Sequence, residues 1–133
     1  MFLSLMEVPQ DHALNTHLSQ QVEVIRTIHD RITKNLQRRY TIGELSRQYL
    51  MNTSTLKNVF KSVYGLPIAS YMKQYRLKQA AQLLKNTDDS IAAVAGKVGY
   101  ENQSKFTQAF KEQYHVLPTE FRKQYRSEKH TGI

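Results

Sequence analysis

The sequence contains no cysteine and no tryptophan, only three prolines and only five glycines in 133 residues. Without cysteine there is no disulfide framework, no thiolate zinc site and no cysteine nucleophile. Scarce proline and glycine leave few places for turns. β-Branched residues occur singly at helical spacings, never in alternating runs, so strands are not expected. No apolar run reaches the roughly 18 residues that a spanning helix needs, and the apolar Met1–Met6 stretch is too short for a signal peptide. Acidic residues are also few. Lys and Arg outnumber Asp and Glu by 19 to 11, for a formal charge of +8 and a pI near 9.8. A surplus of that size on a small chain favours a polyanionic partner. These features predict an all-α protein of the cytoplasm, with no membrane association.

Helical periodicity fills most of what remains. Ile25, Ile28, Ile32 and Leu36 form one apolar stripe and predict a helix over about Ser19–Arg39. Thr41-Ile-Gly-Glu44 has the pattern of a capping box, in which side chains three apart satisfy the first amides of a helix. A helix over about Ser54–Tyr64 should end at Gly65, and Pro67 should open a linking helix to about Leu84. Ser90 opens a short helix, Gln103–Tyr114 a longer one, and Pro118 a last one to about Tyr125. About seven helices result. The expected organisation is a linker or the tail of a preceding domain over 1–20, a first subdomain over 21–66, a linking helix over 67–86, a second subdomain over 87–126 and a frayed tail over 127–133. The apolar start reads as the cut end of a longer protein, which makes the chain a C-terminal fragment.

The short helix, turn and longer helix occur twice. Leu45 and Ser46 correspond to Val94 and Ala95 at an offset of 49, while Leu56, Phe60, Lys61 and Tyr64 correspond to Phe106, Phe110, Lys111 and Tyr114 at an offset of 50. The extra residue falls in the second turn. One such pattern is common by chance, whereas two in register within a basic chain point to a pair of helix-turn-helix units.

Several residues carry a resemblance to the DNA-binding domain of the AraC/XylS family of transcription regulators. In the first half they are Phe60-Lys61, Gly65, Tyr71, Arg76, Ala80 and Leu83-Leu84. In the second they are Ile91, Val94-Ala95, Val98-Gly99-Tyr100, Phe106, Phe110-Lys111, Pro118 and Phe121-Arg122. The match covers about residues 22–126. Within the family, Met51-Asn52 to Lys57 and Gly99–Ser104 look closest to regulators of siderophore uptake. Three positions depart from the family pattern. Leu50 stands where a turn glycine is frequent, so the first turn is expected to differ in shape; Ser46 replaces alanine and His115 replaces glycine. The resemblance implies a regulator, with activator the type expected, that recruits or blocks RNA polymerase, any small-molecule effector acting through a domain outside this chain. It also implies that Arg76 is a structural bridge.

A linking helix of about 17 residues spans roughly 26 Å. With the approach to each reader, the two recognition helices come near one DNA turn apart, about 34 Å, and enter successive major grooves on one face. Aligning the repeat places Ser54, Lys57 and Asn58 on the exposed face of the first recognition helix, and Gln103, Ser104, Thr107 and Gln108 on that of the second. Lys donates to guanine and Asn or Gln bonds adenine in a bidentate way, so these seven are the expected base readers. Arg38, Lys61, Lys97, Lys105 and Lys111 are the phosphate-contact candidates. Phe60, Phe106, Phe110 and Phe121 have core spacing and are not expected to stack on bases. The five histidines are scattered without ligand spacing and no phosphate-binding glycine loop or nucleophile elbow occurs, so no metal, cofactor or catalysis is expected. The competing reading is a helical protein-interaction adaptor whose basic charge is incidental.

Overall fold

The computed structural model describes residues 2–131, with side chains from 15 to 128. Among the described residues there are seven helices and no strand: α1 Phe2–Lys34, α2 Ile42–Gln48, α3 Thr53–Tyr64, α4 Ile68–Asn86, α5 Ile91–Lys97, α6 Gln103–Tyr114 and α7 Pro118–Thr131. They form two compact units. The first takes residues 1–32 and 40–68, and the second takes 33–39 and 69–133.

In the first unit, the predicted stripe of α1 is buried at Ile25, Ile28 and Ile32, as are Leu45 of α2 and Leu56 and Phe60 of α3. His29 of α1 stacks on Tyr64, with ring centroids 4.2 Å apart. Two differences from the sequence reading concern α1. The helix starts at Phe2, well before the Ser19 expected from the apolar stripe, and no glycine interrupts this stretch. At the other end α1 stops at Lys34, five residues before Arg39. Leu36 continues the apolar spacing but lies in a turn.

The reason for that early stop lies within the second unit. Arg76 of α4, only 4% exposed, donates Nη1 hydrogen bonds to the carbonyls of Leu36 and Val98, the latter at 2.9 Å. Its Nη2 reaches the Arg38 carbonyl at 3.5 Å. These carbonyls are satisfied by a guanidinium, so the chain need not continue as a helix to occupy them. Around this clamp the second core is made of Leu77, Ala80, Ala81 and Leu84 of α4, Val94 and Ala95 of α5, Val98, and Phe106, Ala109 and Phe110 of α6. Leu36 and Phe121 pack against it. α7 is held by its arginines. Arg122 Nε donates to the Leu84 carbonyl at 3.0 Å, and Arg126 reaches the Thr87 carbonyl at 3.2 Å and the Asp88 carboxylate at 2.5 Å. The segment from Ser127, read as a frayed tail, is helical to Thr131.

Candidate nucleic-acid interface

Each copy of the repeat starts with a capped short helix. In α2, Thr41 accepts from the Glu44 amide while the Glu44 side chain reaches back to the Thr41 amide, completing the predicted capping box. In α5, Ser90 accepts from the Ala93 amide at 3.1 Å. The α2 terminus therefore already carries a carboxylate, which disfavours a phosphate there, whereas the first turn of α5 contains no acidic residue.

The turns that follow close alike. The Met51 amide bonds the Ser46 carbonyl at 3.1 Å, and the Tyr100 amide bonds the Ala95 carbonyl at 2.9 Å. Leu50 adopts φ 52° where Gly99 has φ 92°. The turn with leucine in place of glycine was expected to differ in shape, yet it makes the same closing bond. Ser46 contributes to this, since its hydroxyl donates to the Met51 carbonyl at 2.5 Å, a bond that alanine could not make. The extra residue of the second copy is Glu101, accommodated after the closed turn.

Both longer helices are N-capped by asparagine. Asn52 Oδ1 accepts from the Thr55 amide and Asn102 Oδ1 from the Lys105 amide, each at 2.8 Å. Phe60 and Phe106 turn the opposite side of each helix into its own core, both fully buried. What remains outside is a polar face at positions i, i+1, i+4, i+5 and i+8. On α6 this face is Gln103, Ser104, Thr107, Gln108 and Lys111, which together line one shallow depression of the surface. All are exposed except Thr107, which is half-buried. On α3 the equivalent residues are Thr53, Ser54, Lys57, Asn58 and Lys61, all exposed. Thr53 was missed because the sequence reading began this helix one residue late. The offset of 50 from Gln103 was the signal that could have found it.

The expected phosphate residues have unequal surroundings. Lys61 and Lys111 lie in the last turns of α3 and α6, on the same face as the expected base-reading residues. Arg38 is exposed, in the segment whose carbonyls Arg76 holds. Lys97 is tied to Asp89 at 2.6 Å and Lys105 to Glu101 at 3.5 Å. Lys97 holds the Asp89 carboxyl below its ordinary range, first through the hydrogen bond and then through its charge. Arg76 stays cationic at neutral pH, although burial, helped by the nearby charge of Arg39, pulls it down to about 10. The helix ends at Gly65, φ 85°, and His115, φ 66°, are both left-handed caps.

Two capped helix-turn-helix units, each presenting the polar side of its second helix, define a nucleic-acid-binding class of protein. The comparisons agree with this geometry. Residues 45–124 match the model of a family described as a helix-turn-helix domain. The transcriptional regulator MtrA of Neisseria gonorrhoeae is 38% identical over 90 residues, covering 68% of this chain and 28% of that protein. The regulator AlkR of Acinetobacter baylyi is 36% identical over 85 residues, covering 64% of this chain and 28% of its own length. The chain thus spans less than a third of either regulator. Among solved structures, the DNA-binding domain of AdpA, in complex with a target DNA, shares the fold with a TM-score of 0.74 at 23% identity, over 78% of this chain and 94% of that one. The chain belongs to the helix-turn-helix family of AraC-type transcription regulators, a family of DNA-binding domains and not of enzymes.

Proposed function

We propose that this chain reads two short boxes of duplex DNA, with α3 and α6 in successive major grooves on one face. The observation that carries this is the duplicated polar face, built on matched asparagine caps and identically closed turns. Ser54, Lys57 and Asn58 read the first box, and Gln103, Ser104, Thr107 and Gln108 the second, with Thr53 added to the first set by its equivalence to Gln103. Lys61, Lys111 and Arg38 lie against phosphates. Lys97 and Lys105 join them only by leaving the carboxylates they now pair with.

The chain acts in the cytoplasm as the DNA-binding part of an activator that engages RNA polymerase. Its effector, if small, binds a domain outside residues 1–133. The names of several relatives, among them the activator RhaR of Mannheimia succiniciproducens, support the activator assignment. The stretches Met51–Lys57 and Gly99–Ser104 support placement among regulators of siderophore uptake.

Selection from randomised duplex DNA at about 0.15 M salt tests the central claim. Enrichment of two boxes about one helical turn apart is the expected result. Weak binding without enrichment, vanishing as salt rises, would leave only the electrostatic component and overturn it.

A further inference from the structure

Arg39 lies outside both expected sets of DNA contacts. Its Nε donates to the Gly99 carbonyl at 2.7 Å, and its guanidinium lies over the Tyr100 ring, 5.0 Å from the centroid. Two contacts thus hold the side chain while the residue as a whole stays exposed. Gly99 and Tyr100 form the turn that leads through Asn102 into α6, the second reading helix. Tyr100 also packs edge-on against Phe106 in the first turn of that helix, at 5.6 Å. Directly behind, Arg76 carries a second guanidinium whose partners are the carbonyls of Leu36, Val98 and Arg38. Neither arginine has a carboxylate partner among the described residues. Two positive charges therefore sit at one turn without a carboxylate bonded to either, since Glu101 of the same turn pairs with Lys105, and Arg39 stays exposed.

We propose that Arg39 is a DNA-phosphate-binding residue of the second reader, held in place by Gly99 and Tyr100 and backed by the charge of Arg76. This rests on the reading of α6 as a DNA-reading helix. A guanidinium is suited to the role, because its fork can keep one N–H on the protein while the outer two grip a phosphate oxygen pair. Pre-positioning also limits the side-chain entropy lost on binding. Lys97 and Lys105 have neither advantage, since each must first give up an ion pair.

The test compares Arg39→Gln with the unaltered chain on the DNA selected above, over a series of salt concentrations. Glutamine keeps a donor for the Gly99 carbonyl and removes the charge. The expected result is a fall in the slope of log K against log salt by about 0.9, the loss of one phosphate contact, with affinity down about three- to ten-fold on every sequence alike. A single methylphosphonate placed along the backbone should weaken the unaltered chain at one phosphate beside the second box, and Arg39→Gln should be insensitive there. An unchanged slope, or a changed base preference at constant slope, overturns the proposal. If Arg39→Gln fails to fold, Arg39→Lys, which keeps the charge but not the anchored fork, should be less sensitive at that phosphate; undiminished sensitivity overturns the proposal too. Failure of the unaltered chain to enrich any sequence would instead count against the DNA reading, before Arg39 is in question.

Discussion

Leu50 and Gly99 occupy the same place in the two turns and both have positive φ, 52° and 92°, although only one of them is glycine. The leucine side chain is 93% exposed, so it contributes almost no packing to offset a left-handed backbone. For a residue with a Cβ that conformation costs roughly 1–2 kcal/mol, while glycine's extra freedom in the unfolded chain returns about 0.5–1 kcal/mol of it. Leu50→Gly should therefore stabilise the protein by about 0.5–1 kcal/mol, read as a higher urea midpoint with an unchanged slope. A midpoint at or below that of the parent would show that the Leu50 side chain makes a stabilising contact.

Gly65 and Gly99 look alike by φ, at 85° and 92°, yet differ in what surrounds them. A Cβ on Gly65 would meet nothing within 4 Å, whereas one on Gly99 would overlap the Arg76 guanidinium and the Leu36 carbonyl. Gly65→Ala should thus cost only the backbone strain, about 1 kcal/mol. Gly99→Ala should cost about 3 kcal/mol or more, because it also forces the buried arginine off its carbonyls. Equal losses in the two variants would mean that the close approach is not what requires glycine at position 99.

The same clamp marks where the sequence stopped being legible. Local features could be read directly. The Thr41–Glu44 capping box and the apolar stripes of the helices involve residues within one or two turns of each other, and the repeat showed as a nearly constant offset along the chain. The early end of α1 could not be read, because Leu36 continues the apolar spacing and the group that ends the helix, Arg76, lies 40 residues further on. The pairing of Lys105 with Glu101 is short-range, four residues apart across the start of α6, but that of Lys97 with Asp89, eight residues apart, depends on the turn before α5. Arg39 was invisible for a related reason. Its anchor, Gly99, is 60 residues away and contributes only a backbone carbonyl, which no side-chain pattern records.

The Lys97–Asp89 pair makes a prediction in pH and another in DNA affinity. The Asp89 carboxyl is depressed below its ordinary 3.8, so any stability it contributes is present above that value and is lost as pH falls through the lower folded value. Lys97→Met should bring the Asp89 titration back toward 3.8, observable by NMR of its carboxyl carbon. Asp89→Asn should release Lys97 toward DNA, raising affinity and steepening the salt dependence. If affinity is unchanged, Lys97 is not a phosphate contact.

The strongest demand on the two-reader model comes from exchanging one face for the other. Thr53, Ser54, Lys57, Asn58 and Lys61 on α3 correspond one for one to Gln103, Ser104, Thr107, Gln108 and Lys111 on α6, and two of the five pairs are already identical. The helices share their asparagine caps and their turn closure, so on the proposed reading the remaining three differences should carry whatever distinguishes the boxes. Lys57 offers a donor suited to guanine, while Gln103 and Gln108 can each bond adenine through two hydrogen bonds, and a good bidentate contact is worth roughly 1–3 kcal/mol of discrimination. The triple variant Thr53→Gln, Lys57→Thr, Asn58→Gln should therefore shift the first box toward the sequence of the second, with any guanine specified by Lys57 lost. Each exchanged position is exposed, so the unfolding midpoint should move little. Selection that returns the original first box would show that this face of α3 does not read bases, and that the first unit contributes through phosphates alone.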